Sequence, residues 1–237
     1  MGATRDHPTR PGGPPRARCP SAIAALDDGG VLLALTAEPI VGEASAPSAW
    51  RIPLVTWRRG ATEAVGDLGL GPDEGLVALA VFDGAAHALI AIDNVNGTQG
   101  TRVVRVGAGA PSELFRDDAA APLDLRVSPR HGLVIATTTG VHAWDGARWQ
   151  VLATGATSAI ATCTDGVFAA ERLSGTTITT RVRFHDGAAW APLGPDVGGH
   201  AVGVLAGYIT ALAATPDGLF VGASGPRQPA VRRWRQP

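Results

Sequence analysis

VHAWDGARWQVL, running from Val141 to Leu152, and VRFHDGAAWAPL, running from Val182 to Leu193, are versions of one another. Each is followed by an apolar run, a turn and a second run: ATSAIATCTDGVFAA after the first and YITALAATPDGLFVGAS after the second. A unit that recurs in this way cannot bury its hydrophobic face alone, so it stacks on its copies and the period sets the architecture. Apolar runs that lead into a turn begin at Ala22, Leu76, Leu123, Ala159 and Ile209. Their spacings are 54, 47, 36 and 50 residues, with a mean of about 47, the length of one four-stranded propeller blade. The expected fold is therefore all-β: a five-bladed β-propeller of four-stranded antiparallel blades.

Each blade opens on an apolar strand that reverses at Gly29-Gly30, Asp83-Gly84, His131-Gly132, Asp165-Gly166 or Asp217-Gly218. Glycine suits tight hairpins because they call for positive φ, which a Cβ penalises. The first strands are rich in alanine, at Ala22, Ala24, Ala78, Ala80, Ala159, Ala161, Ala211 and Ala213, as expected where sheets converge on one axis and space is least. Trp144, Trp149, Trp190 and Trp234 fall in third and fourth strands, where blades splay apart, and are expected to be mostly buried. No window of helical length keeps a 3.6-residue apolar period, so almost no helix is expected.

The WDGxxWxxL segment followed by ITALAATPDGLFVGAS resembles the bacterial propeller repeats of a broadly kelch-like or tachylectin-like class. The likeness is strong over residues 141–224 and fair over 22–36 and 76–92. It is weak in the third and fourth strands of the first two repeats, where the second tryptophan is missing. The resemblance implies a protein that binds partners or sugars more often than it catalyses. It marks architecture rather than ligand.

Residues 21–237 read as one propeller domain and 1–20 as a Pro- and Arg-rich N-terminal segment. The last repeat stops after a third strand ending at Trp234, so the N-terminal segment is the candidate for its closing fourth strand. All 20 basic residues are arginine, and with the abundant Ala, Gly and Pro this suggests a GC-rich bacterial source. The two ends total +7 against −8 for the rest of the chain, which places a basic edge on an acidic body if they meet. Nucleic acid is not the expected partner, because the overall charge is −1 and no basic stripe is interleaved with aromatics. Cys19 and Cys163 are expected as free thiols far apart in the ring. The first 20 residues lack the apolar core of a secretory leader and no apolar segment reaches membrane-spanning length, so a cytoplasmic monomer is expected.

Chemistry has little support in the sequence. The histidines form no metal-ligand spacing, and no nucleophile elbow or phosphate loop is present, so no cofactor, no metal and no catalytic residue is assigned. Asp124 is read as the one inner-strand carboxylate, forming a buried ion pair with Arg126 between blades, and His185 as an aromatic stand-in for Trp144. The expectation is a chain that is not an enzyme: a scaffold binding a protein partner through its loop face. A carbohydrate-binding lectin using Trp50, Trp57, Trp149 and Trp190 ranks second, and an inner-ring glycoside hydrolase third. The stretches 38–53 and 193–208 read as long insertions carrying apolar residues that no blade needs. They nominate Ile40, Val41, Trp50, Val197, His200, Val202, Val204 and Leu205 as partner-binding residues.

Overall fold

The computed structural model describes residues 22–26, 28–40, 49–93, 97–107, 110–173, 179–193, 205–206, 208–216, 218–224 and 230–234. The first sheet holds β1 (Ile23–Ala25), β2 (Val31–Ala34), β3 (Glu38–Ile40), β4 (Ala49–Arg58) and β5 (Ala61–Leu70). The second holds β6 (Glu74–Phe82), β7 (Ala85–Asp93), β8 (Gln99–Val106) and β9 (Ser112–Asp117), and the third β10 (Pro122–Ser128), β11 (Gly132–Thr137), β12 (Gly140–Trp144) and β13 (Trp149–Thr154). The fourth holds β14 (Thr157–Cys163), β15 (Gly166–Leu173), β16 (Thr179–His185), β17 (Trp190–Pro192) and β18 (Leu205–Ala206). The fifth holds β19 (Tyr208–Thr215), β20 (Gly218–Ser224) and β21 (Ala230–Trp234). Every element among the described residues is a strand, every pairing is antiparallel, and the architecture is of the β-propeller type.

Two of the five-stranded sheets are four strands wide. β2 and β3 lie one after the other along the same side of β4, and β17 and β18 along the same side of β16. Both stretches read from the sequence as insertions therefore contain strands. Residues 38–40 and 49–53 lengthen the first sheet, and Leu205–Ala206 resumes the outer strand of the fourth opposite Thr179 and Thr180.

The sheets follow one another in chain order, with β1 packed on β6, β6 on β10, β10 on β14, and β14 on β19. An apolar cluster occupies each of these junctions. Leu32, Leu54 and Leu68 meet Ala88, Ile90 and Val104 at the first, and Leu89 and Val103 meet Leu125, Leu133 and Ile135 at the second. Val134 and Ala136 meet Ile160 and Val167 at the third, and Phe168 and Val182 meet Ile209, Leu212 and Leu219 at the fourth. Alternation makes this possible, because successive side chains of a strand point to opposite faces and each inner sheet has an apolar set on both. The inner-strand alanines Ala24, Ala80 and Ala161 are buried at these junctions, as the taper requires.

A β-bulge recurs at one position of the inner strands, leaving Val77, Leu123, Ser158 and Thr210 without a register partner. An extra residue there bends and twists the strand, and its recurrence gives four of the five sheets the same bend in their first strands. At the hairpins, Asp83 and Gly84 both take positive φ, 50° and 68°. Gly166 differs from the expectation: a Cβ on it would collide with the His185 carbonyl, so glycine is required there by the close approach of β16.

Candidate functional site

The two ends of the array differ. At one end lie the hairpins between first and second strands and those between third and fourth, none with more than five residues between the described strands. The two Asp-Gly turns of the recurring motif are alike: Asp145 Oδ1 accepts from the amides of Ala147 (2.8 Å) and Arg148 (2.9 Å), and Asp186 Oδ1 from those of Ala188 (2.8 Å) and Ala189 (3.0 Å). These backbone hydrogen bonds hold both carboxyl groups below the ordinary carboxylate range. The WDG motif is thus a self-satisfied turn.

At the other end lie the connections from second to third strands. In the third sheet this connection is a two-residue turn, Thr138-Thr139, and in the others the strands are separated by five or more residues. The segment 194–204, set into the outer strand of the fourth sheet, returns at β18 to the same end. The second, third and fourth sheets point the same way, because bonds between neighbours join equivalent positions. The indole N–H of Trp149 donates to the Leu114 carbonyl of the preceding sheet (2.7 Å), and that of Trp190 to the Leu152 carbonyl of its own preceding sheet (2.5 Å). On the inner strands, the Thr162 hydroxyl donates to the Val127 carbonyl (2.8 Å).

Ion pairs rim the connector end. Arg51 bonds Glu38 and lies 3.7 Å from Asp67, and the hydrogen bond to Glu38 raises its guanidinium above its ordinary value. Arg102 reaches Glu74 at 2.6 Å and Glu113 at 3.9 Å, Arg116 reaches Asp118 at 2.9 Å, and Arg181 reaches Glu171 at 2.8 Å. Ile40 stands among them at the tip of β3, paired with Ala49 and 46% exposed. Trp50, one residue along β4 and opposite Pro39, is half-buried and packs on the cluster of the first junction, so much of its ring serves the core. Val41, Val197, His200, Val202 and Val204 lie outside the described residues. Leu205 begins β18 opposite Thr180, and its side chain lies outside them too.

The residues weighed for catalysis are paired. Asp124 meets Arg126 at 2.9 Å along the same strand rather than between sheets, with Arg126 half in solvent. Burial pushes the Asp124 carboxyl up, against the opposing pull of Arg126. A second inner-strand carboxylate, Glu74, which the sequence places just before the inner strand, opens β6, because the strand starts earlier than its apolar run. Glu74 is bound to Arg102 and to the Gly71 amide (2.7 Å). No group of three His, Cys, Asp or Glu side chains able to hold a metal occurs among the described residues. Cys163 is a free thiol, while Cys19 lies outside the described residues.

Trp144, Trp149 and Trp190 act as clamps more than platforms, and each is mostly buried with an edge in solvent. Trp149 sits 5.0 Å from Phe115 and 5.5 Å from Trp144, and Trp190 lies 5.0 Å from His185 with the Arg183 guanidinium 5.6 Å from its ring centre. His185 thus takes the aromatic place of Trp144, as its position in the motif implies. The side chain of Trp234 lies outside the described residues. Beside Trp190 lies a small notch open to solvent and bounded by Thr154, Glu171 and Arg183.

No protein-family model matches this sequence. No curated protein matches it either. Among solved structures, the chain is similar to a mutant of puromycin hydrolase in complex with PGG, with a TM-score of 0.51 and 15% identity over 86% of this chain. The match covers 34% of that chain, so this protein spans about a third of its length. At that identity the likeness concerns the fold alone. It nevertheless corrects the expectation that this chain is not an enzyme. The shared fold occurs within a hydrolase, so a propeller architecture without a recognisable motif is no argument against catalysis.

Proposed function

We propose that the chain is a five-bladed β-propeller that binds a protein partner at its connector end, with residues 1–20 supplying the fourth strand of the last blade. One observation supports the binding reading: the two longest links between described strands rejoin them at Ala49 and Leu205, towards the end where Ile40 is exposed beside the Arg51–Glu38 ion pair. Rigid strands that hold longer connections at one end are how many β scaffolds present a contact surface. The exposed Ile40 and the apolar Val41, Val202 and Val204 of these connections supply desolvation, and the ion-paired rim supplies orientation. The reading assigns contact, and it holds whether the bound protein is only held or also transformed. Sugar binding is less well supported, since the indole N–H groups of Trp149 and Trp190 are both used within the array.

The test is affinity capture with the parent chain and with Ile40→Asp and Val202→Asp, beside Val151→Asp, an exposed position on an outer strand. The expected result is a captured protein that is lost with the first two variants and kept with the third. Capture that survives both connector-end changes would overturn the reading.

A further inference from the structure

The recurring motif is broken at two positions, and the two breaks meet. In the first hairpins, His131 stands where Asp83 and Asp165 stand in the neighbouring sheets, each just ahead of its glycine. In the third strands, His185 opposite Val167 stands where Trp144 stands opposite Leu133 and Trp234 opposite Leu219. Although 54 residues separate them in the chain, the third junction brings His131 Nε2 to 3.4 Å from His185 Nδ1. The ring centres are 5.1 Å apart and the planes are tilted by 59°, so the rings turn nitrogen to nitrogen rather than stack face to face.

Both nitrogens are presented as ligands. The Gly187 amide donates to His185 Nδ1, so that nitrogen holds a lone pair and not a proton, and at 3.2 Å the bond is long enough to be released. The contact with His131 is too long for a good hydrogen bond. It matches a metal bridge instead: two zinc–imidazole bonds of about 2.0–2.1 Å that meet at a tetrahedral angle hold their nitrogens about 3.3–3.4 Å apart. The rings are also fixed in place. His185 is 7% exposed and lies 5.0 Å from the Trp190 ring, while the His131 amide donates to Ser128 Oγ at 3.3 Å. Burial holds both imidazoles below their ordinary value, which keeps them neutral, the form that a metal binds. Of the charged groups nearby, Arg130 opposes a cation and Asp186 favours one.

We propose that His131 Nε2 and His185 Nδ1 form a binding site for a divalent ion of the zinc type, which clips the third sheet to the fourth at the hairpin end. Imidazole selects zinc, copper and nickel over magnesium and calcium. Two protein ligands leave two positions of a tetrahedral ion to water, so the ion is exchangeable and the clip closes only when free metal is available. The site lies away from the connector end and does not rest on the partner reading, so the two can fail separately.

Calorimetric titration of the metal-free full chain with zinc chloride, repeated on His131→Gln, on His185→Phe and on His7→Gln as a control, decides it. One saturable site is expected in the parent and the control, and its loss in either variant of the pair. The melting temperature of the parent is expected to rise by about 3–6 °C at a zinc concentration about ten times the dissociation constant. His185→Phe keeps a ring against Trp190, and its melt without metal checks that it folds. A readout that needs no variant is carbethoxylation of the parent by diethyl pyrocarbonate, mapped by mass spectrometry, in which zinc is expected to shield His131. Titration without saturable binding, binding that survives in either variant of the pair, or a His131 that stays equally reactive in zinc would overturn the proposal and leave a hydrogen-bonded imidazole pair.

Discussion

Replacing Trp190 by phenylalanine tests whether the recurring fourth-strand tryptophan is a clamp between sheets. The indole N–H donates to the Leu152 carbonyl of the preceding sheet at 2.5 Å, while the ring lies against His185 and Arg183. Phenylalanine keeps a ring in place, so the packing loss is limited to the smaller area, about 1 kcal/mol for some 40 Å². The lost hydrogen bond adds about 0.5–1.5 kcal/mol, toward the lower end here because water can reach a half-buried carbonyl. A total of about 1.5–2.5 kcal/mol corresponds to a fall of roughly 3–10 °C in melting temperature for a chain of this length. Thermal unfolding followed by circular dichroism at 215 nm reads it, with urea unfolding as a check that the slope with denaturant is unchanged. Trp149→Phe, which breaks the equivalent bond to Leu114, is expected to fall in the same range. The reasoning is refuted if Trp190→Phe melts within about 1 °C of the parent, because the bond would then add nothing to the junction.

Acidification is expected to weaken the array. Burial lowers the imidazoles of His87, His131, His142 and His185 below their ordinary value of 6.5. His185 Nδ1 accepts from the Gly187 amide at 3.2 Å and lies 3.4 Å from His131 Nε2 across the third junction, with Arg130 nearby disfavouring the cation on both rings and Asp186 favouring it on His185. The folded state holds these rings neutral, so the stability they contribute is complete above pH 6.5 and is lost as the pH falls through that value towards the lowered folded ones. Melting curves at pH 7.5 and pH 5.0 measure it, and equal midpoints would contradict it. Removing residues 1–20 is expected to lower the melting temperature by some degrees, since β21 would lose the strand assigned to its outer edge. An unchanged melt would leave that segment without a closing role.

The recurrence of VHAWDGARWQVL in VRFHDGAAWAPL, and the apolar-turn-apolar runs around it, determined from sequence alone that this chain is a series of antiparallel sheets, where each begins, and which tryptophans lie between sheets. Such features are local: a period of 2 along each strand, a glycine at each tight turn and small residues at each inner strand are all written within one repeat. Other properties depend on residues far apart in the chain and had to wait for the tertiary structure. Only there does Glu74 enter the inner strand and pair with Arg102, does Gly166 prove necessary because His185 approaches it, and does Leu205 resume a strand interrupted after Pro192. The exposure of Ile23 belongs to the same class. Its position in the repeat is that of the buried Leu79, Leu125, Ile160 and Leu212, and burial is a property of the neighbouring sheet rather than of the residue, so no reading of the repeat could have set Ile23 apart.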